Sequence, residues 1–254
     1  MTLAWLVLQF AVCAALIGRA GFMLSTSADR LARHHGWGRG WVGLAMLATV
    51  TSLPELATGT SAVAWVDAPN LAVGDALGSC VFNLVFLVVV DGLQQRQPMY
   101  RHASATHLLT AAFGVVMLGF VAMSLVLAGK VPRLFHVGVY SPLMLSLYVL
   151  ALASVSRHER ALMAQAAAPE GEAVDPRAEW RRFALAALIV LLAGAWLPEV
   201  ADGLAQAAGL SRSFVGTLWL AFATSLPEIA VTLAALRLGA VMVQGGGVDA
   251  GKAQ

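Results

Sequence analysis

The sequence predicts an all-α integral membrane protein built as an inverted repeat, and three observations carry that prediction. Apolar runs long enough to cross a bilayer recur along almost the whole chain. Of the 254 residues 59% are apolar and only 12% charged, a balance that cannot cover a soluble globule with polar groups. A stretch of 35 residues also returns in the second half of the chain, with an odd number of crossings between the copies.

At about 20 apolar residues per crossing, the candidate spans fall at roughly 3–24, 41–65, 71–93, 107–128, 134–153, 183–204 and 213–243, about seven helices in all. The first carries no Lys or Arg before Arg19, so the charged start of a cleaved secretory signal is missing and the segment is expected to stay as a span. The second and seventh each contain a proline-centred polar motif. The third carries a polar stripe and, near its end, Asp91, expected at the interface. The fourth and fifth are apolar without a motif. The sixth holds Pro198-Glu199 without the polar frame of the other two prolines, and Glu199 and Asp202 are expected near the outer interface. Trp37, Trp41, Trp65 and Trp180 fall near span ends, as in an aromatic belt.

Basic residues set the orientation, because Lys- and Arg-rich loops stay in the cytoplasm. Arg30, Arg33, Arg39, Arg96, Arg101, Arg157, Arg160, Arg177, Arg181 and Arg182 fall on one side, against Lys130, Arg133 and Arg212 on the other. The N-terminus is therefore expected outside and the 154–182 loop inside. That loop, rich in Ala, Pro and Glu, reads as a linker between a first membrane half at 1–153 and a second at 183–243, with a polar tail at 244–254.

Net charge is +2 without a basic tract, so nucleic acid is not expected as a partner. Cys13 and Cys80 match no zinc or redox spacing. With no nucleotide-binding glycine loop and no nucleophile constellation, an enzyme is not expected, and neither is a bound cofactor.

The repeat is the most informative feature. Residues 28–62 align without gaps to 201–235 with 17 identities. Within it Thr51-Ser52-Leu53-Pro54-Glu55 returns as Thr224-Ser225-Leu226-Pro227-Glu228. A proline inside a helix brings no N–H, so the carbonyls of Val50 and Ala223 lose their usual donors. Threonine and glutamate at i and i+4 share one face beside the break. The groups on offer are all oxygen, which suits hard cations such as Ca²⁺ or Na⁺ rather than zinc or copper. A glutamate at membrane depth costs about 2.5–3.5 kcal/mol on the insertion scale, and either a bound cation or a proton relieves it. On the third span Asp75, Ser79 and Asn83 recur every fourth residue, while Gly74 and Gly78 allow a close helix neighbour.

These residues resemble the sodium/calcium exchanger family. Its first repeat, G-T-S-L-P-E followed by G-N-x-x-G-S-N-x-F-N, is similar to ATVTSLPEL and GDALGSCVFN here, and its second to LAFATSLPEI. The resemblance implies an inverted-repeat antiporter fold, with Glu55 and Glu228 as central cation ligands. It implies that Thr51, Ser52, Thr224 and Ser225 assist, and that Ser79 and Asn83 contribute from the neighbouring helix. Asp75 stands where the family has asparagine and joins the candidate set by its place on the stripe. Val50 and Ala223 replace glycine, and Cys80 replaces a second asparagine. Family members have ten helices, so the second repeat, about 213–243, reads as truncated relative to the first, about 41–93.

The expected function is a secondary antiporter exchanging Ca²⁺ for Na⁺. A cation/proton exchanger, or a non-transporting homologue that keeps the motif for helix packing, are the other readings. Expected partners are the two ions, the lipid bilayer and, for the second half, self-association or a completing partner. Short loops without a targeting segment favour a bacterial inner membrane.

Overall fold

The computed structural model describes residues 2–35, 49–93, 105–127, 133–134, 137–163 and 175–234. These fall into two compact units, the first drawn from residues up to 35, 49–90 and 175–234 and the second from 91–163.

The first unit is organised by two long helices, α1 (Leu3–His34) and, later in the chain, α6 (Pro176–Ala208). Both outrun the ~20 residues that the hydrocarbon needs, so their ends reach charged surroundings. Ser27 and Arg30, late in α1, meet Glu179 in the first turn of α6, whereas Leu6, early in α1, clusters with Val200 and Leu204 late in α6. The pair is therefore antiparallel.

Burial extends the repeat backwards from residue 28. The buried residues of α1 are Leu6, Cys13, Ile17, Ala20, Gly21, Leu24, Ser25, Ser27, Ala28, Leu31 and Ala32. Each has a buried counterpart in α6 at the register of the repeat, from Glu179 and Ala186 through Gly194 and Leu197 to Leu204 and Ala205. Only Asp202 breaks the match, its counterpart Asp29 being exposed. Two helices that run in opposite directions thus bury the same face, as two inverted copies must.

Between them lie α2 (Leu53–Ala64), entered from helical residues 49–51, and α3 (Pro69–Leu93). Asp67 takes φ 51°, a left-handed conformation that aspartate tolerates, and Ala68 N–H closes back onto Ala62 O at 2.8 Å. This tight turn brings α3 back to α2, where Asp75 meets Thr58. After α6, which ends at Gly209 with φ 65°, α7 spans Arg212–Ala234. It is interrupted by a π-helical stretch, Gly216–Leu220, and by a one-residue break at Ser225. Close backbone approach fixes α3 on α7: a methyl on Gly78 would lie 2.3 Å from Thr217 O, and one on Gly216 would lie 2.6 Å from Leu71 O. The expectation for Gly74 and Gly78 is met.

The second unit holds α4 (Ala105–Val126), the two-residue strands β1 (Arg133–Leu134) and β2 (Val137–Gly138) paired antiparallel, and α5 (Tyr140–Met163), which packs on α4.

Five helical segments among the described residues are long and apolar enough to cross a membrane: α1, Pro69–Gly92, Leu108–Val126, α6 and α7; Tyr140–Val155 is shorter. Large apolar side chains such as Val88, Leu84 and Val115 stand exposed on them, as in a chain whose solvent is lipid. The helices differ from the expected spans at their ends. Most of the 154–182 linker that is described is helical, α5 running to Met163 and α6 starting at Pro176. Arg, Glu, Leu and Ala favour helix there, and the Asp175 side chain caps α6 by accepting from Arg177 N–H at 3.0 Å. Residues 41–48, 235–243 and the 244–254 tail lie outside the described residues.

Candidate cation site

The two TSLPE motifs break their helices in the same way. Ser52 sits at φ −85°, ψ 7° and Ser225 at φ −81°, ψ 0°, one residue out of helix in each copy. The cause is the proline two residues on, which cannot donate and crowds the preceding turn. Each helix resumes with the N–H after the glutamate bonding the serine carbonyl, Leu56 to Ser52 at 3.1 Å and Ile229 to Ser225 at 3.2 Å.

Each break is held by the long helix of the other half. A methyl on Gly21 of α1 would lie 2.3 Å from Pro227 Cγ, and one on Gly194 of α6 would lie 2.9 Å from Ala57 Cβ and 3.4 Å from Pro54 O. Gly21 and Gly194 are counterparts in the repeat, so the first helix of each half seats the motif of the other.

At the centre Glu55 lies within reach of the charges of Glu228 and Asp75 and of the Thr224 hydroxyl. The Oε2 atoms of Glu55 and Glu228 and the Oγ of Ser225 are buried without a hydrogen-bond partner. Buried oxygens left unpaired are costly. Three of them fall in the doubled motif, and all three are hard oxygens of the kind a hard cation takes as ligands.

Asp75 is buried beside them. Its Oδ2 accepts from the Thr58 hydroxyl at 2.6 Å and its Oδ1 from the Thr224 hydroxyl at 2.9 Å, and Ser79 Oγ lies 3.2 Å from Thr224 Oγ1. Thr58 and Thr224 also lie near carbonyls of their own helices, at 3.0–3.2 Å. With the Ser79 proton given to Thr224, and the two threonine protons given to Asp75, one chain of hydroxyls joins α2, α3 and α7. Thr58 is absent from the sequence expectations.

The candidates do not all converge. Ser79 and Thr224 join Asp75, and Thr51 is half-buried, but Ser52 and Asn83 are exposed. A residue eight positions along a helix has turned about 80° from the first at 3.6 residues per turn. Asn83 is therefore off the face that carries Asp75. Among the described residues no three His, Cys, Asp or Glu side chains are grouped closely enough to hold a metal by themselves. A cation here needs hydroxyl and carbonyl oxygens as well as carboxylates.

Two charged clusters flank the site. Glu179 accepts from Ser27 at 3.0 Å and pairs with Arg30 at 3.1 Å and Arg182 at 2.9 Å. Asp202, expected near the interface, is buried and pairs with Arg212 at 2.5 and 3.0 Å. The aligned repeat carries a signal for the second: Asp29 and Arg39 recur as Asp202 and Arg212. Arg39 lies outside the described residues.

Residues 5–156 and 180–249 match the family described as "Sodium/calcium exchanger protein". An uncharacterized membrane protein of Methanocaldococcus jannaschii is 28% identical over 223 residues, 82% of this chain and 65% of the relative. The chain thus spans just under two thirds of that relative's length. No solved structure matches the chain.

Proposed function

Because the chain belongs to the sodium/calcium exchanger protein family, we propose that it is a secondary antiporter exchanging Ca²⁺ for Na⁺ through Glu55 and Glu228. The carrying observation is the unpaired, buried carboxylate oxygen that each copy of the motif presents. In this reading a cation draws ligands from Glu55, Glu228, Ser225 and Thr224, with Thr51 and Ser79 at the margin. Ser52 and Asn83 are expected to contribute little in the arrangement described.

Asp75 holds the frame. Both its oxygens already accept hydrogen bonds, so it orients Thr224 and Thr58 more than it offers itself to an ion. The repeats that carry the two motifs would rock about this site, exposing it to one side and then the other. In this reading the protein lies in a bacterial inner membrane with its N-terminus outside and the 154–182 linker inside, between membrane halves 1–153 and 183–243.

The test is Ca²⁺ uptake into vesicles holding the purified protein, under an imposed Na⁺ gradient and, separately, an imposed pH gradient. Uptake driven by Na⁺ is the expected result. Uptake that ignores Na⁺ and follows the proton gradient would make the protein a cation/proton exchanger. No uptake under either gradient would leave the motif a packing element.

A further inference from the structure

We propose that Ser25 of α1 supplies a further oxygen to the cation at the doubled motif. The inference rests on the reading of Glu55 and Glu228 as that site. Four buried side-chain polar atoms among the described residues have no hydrogen-bond partner: Glu55 Oε2, Ser225 Oγ, Glu228 Oε2 and Ser25 Oγ. Three belong to the motif. The fourth is on another helix, at a residue 2% exposed.

Hydroxyls inside helices ordinarily bond the carbonyl four residues back. Thr26, Ser124, Ser146 and Ser154 do so here, each at 2.8 Å. Ser25 does not, and it points instead into packed surroundings with its oxygen unspent.

Its neighbours place it by the motif. Gly18, Gly21 and Ser25 lie on one stripe of α1, at i, i+3 and i+7. A methyl on Gly18 would lie 3.2 Å from Leu226 Cβ, and Gly21 abuts Pro227. One turn further, Leu24 and Ala28 cluster with Val50 and Leu53 of the first copy. Ser25 therefore sits on the stretch of α1 that passes from the second motif to the first.

The chemistry suits the place. A hydroxyl adds a hard oxygen without adding charge to a site that already holds two carboxylates. The counterpart of Ser25 in α6 is Pro198, so the inverted copy offers no equivalent. The extra ligand makes the site asymmetric between the halves.

The experiment measures Ca²⁺ binding and thermal unfolding of the purified full chain, in wild type, Ser25→Ala and Ser25→Cys. Ser25→Ala removes an unpaired hydroxyl, so without Ca²⁺ it unfolds at the same temperature as wild type or higher, while its Ca²⁺ affinity falls about fivefold. Ser25→Cys keeps the side chain's shape, with a somewhat larger atom, and swaps a hard for a soft ligand, so its preference for Cd²⁺ over Ca²⁺ rises relative to wild type. This second variant carries the test independently of how alanine packs. Unchanged Ca²⁺ affinity in Ser25→Ala, with no Cd²⁺ preference in Ser25→Cys, overturns the role of Ser25 and leaves the motif site standing. Absence of Ca²⁺ binding in wild type overturns the motif site itself.

Discussion

Replacing Gly21 by alanine would put a methyl carbon 2.3 Å from Cγ and 2.6 Å from Cβ of Pro227. In a helix interior the same exchange by itself stabilises by about 1 kcal/mol, because glycine loses more backbone freedom on folding. The sign therefore depends on whether the neighbour can yield. A proline ring has no rotamer to move into, so α1 must withdraw from the second motif, and overpacking of that kind costs about 1–3 kcal/mol. The expected net is a destabilisation of up to about 2 kcal/mol for Gly21→Ala, once the propensity gain is subtracted. Its inverted counterpart gives a milder result. At Gly194 the new methyl meets Ala57 Cβ at 2.9 Å, a smaller overlap that about cancels the propensity gain. At Gly114 and Gly119 of α4 nothing lies within 4 Å, and alanine there stabilises by up to about 1 kcal/mol. Denaturant unfolding in micelles, followed by circular dichroism, gives the order: Gly114→Ala and Gly119→Ala above wild type, Gly194→Ala near it and Gly21→Ala below. A Gly21→Ala chain as stable as Gly114→Ala refutes the close seating of α1 on the motif.

Other outcomes follow from the same geometry. Glu228→Gln and Glu55→Gln each abolish the Ca²⁺-dependent rise in unfolding temperature, which for wild type at a hundredfold excess over Kd corresponds to about 2.7 kcal/mol; a rise that survives both variants removes the site. Thr58→Val strips a hydrogen bond from the buried Asp75 carboxylate and destabilises by about 1.5–3 kcal/mol, while Thr58→Ser keeps the donor and changes far less, as thermal unfolding will read. Arg212→Ala leaves the buried Asp202 with Gln206, at 2.7 Å, as its remaining side-chain partner among the described residues. Because the Arg212 side chain is 42% exposed, solvent screens the pair and the loss is small; a second substitution, Asp202→Asn, then adds little in a double-mutant cycle.

The site was legible where its signal is covalent. Pro54 and Pro227 break their helices wherever those helices pack, so the matched dihedrals of Ser52 and Ser225 were written in the repeated pentapeptide. Gly74 and Gly78 likewise announced a close neighbour, because a missing side chain serves that purpose whatever the neighbour is. Asn83 shows the limit. A four-residue spacing reads as one stripe over a single turn, but it drifts about 40° at each step, and by the second step the side chain has left the face that α7 covers. Thr58 was invisible for the opposite reason: a lone threonine in an apolar run looks like any helix hydroxyl until a carboxylate from another helix arrives at 2.6 Å.

By itself the chain's order of residues determined a lipid-soluble helical protein, an internal repeat and the places where two helices must break. These depend on hydrophobic length, on identity at a fixed register and on a proline's missing N–H, all properties of a segment alone. Only the tertiary structure decided that α1 and α6 are also copies, that each seats the other half's motif, that Asp75 binds hydroxyls from two helices and that Ser25 is left unpaired. Such facts belong to contacts between faces, and which face a helix covers is set by the packing of its neighbours, not by its own periodicity.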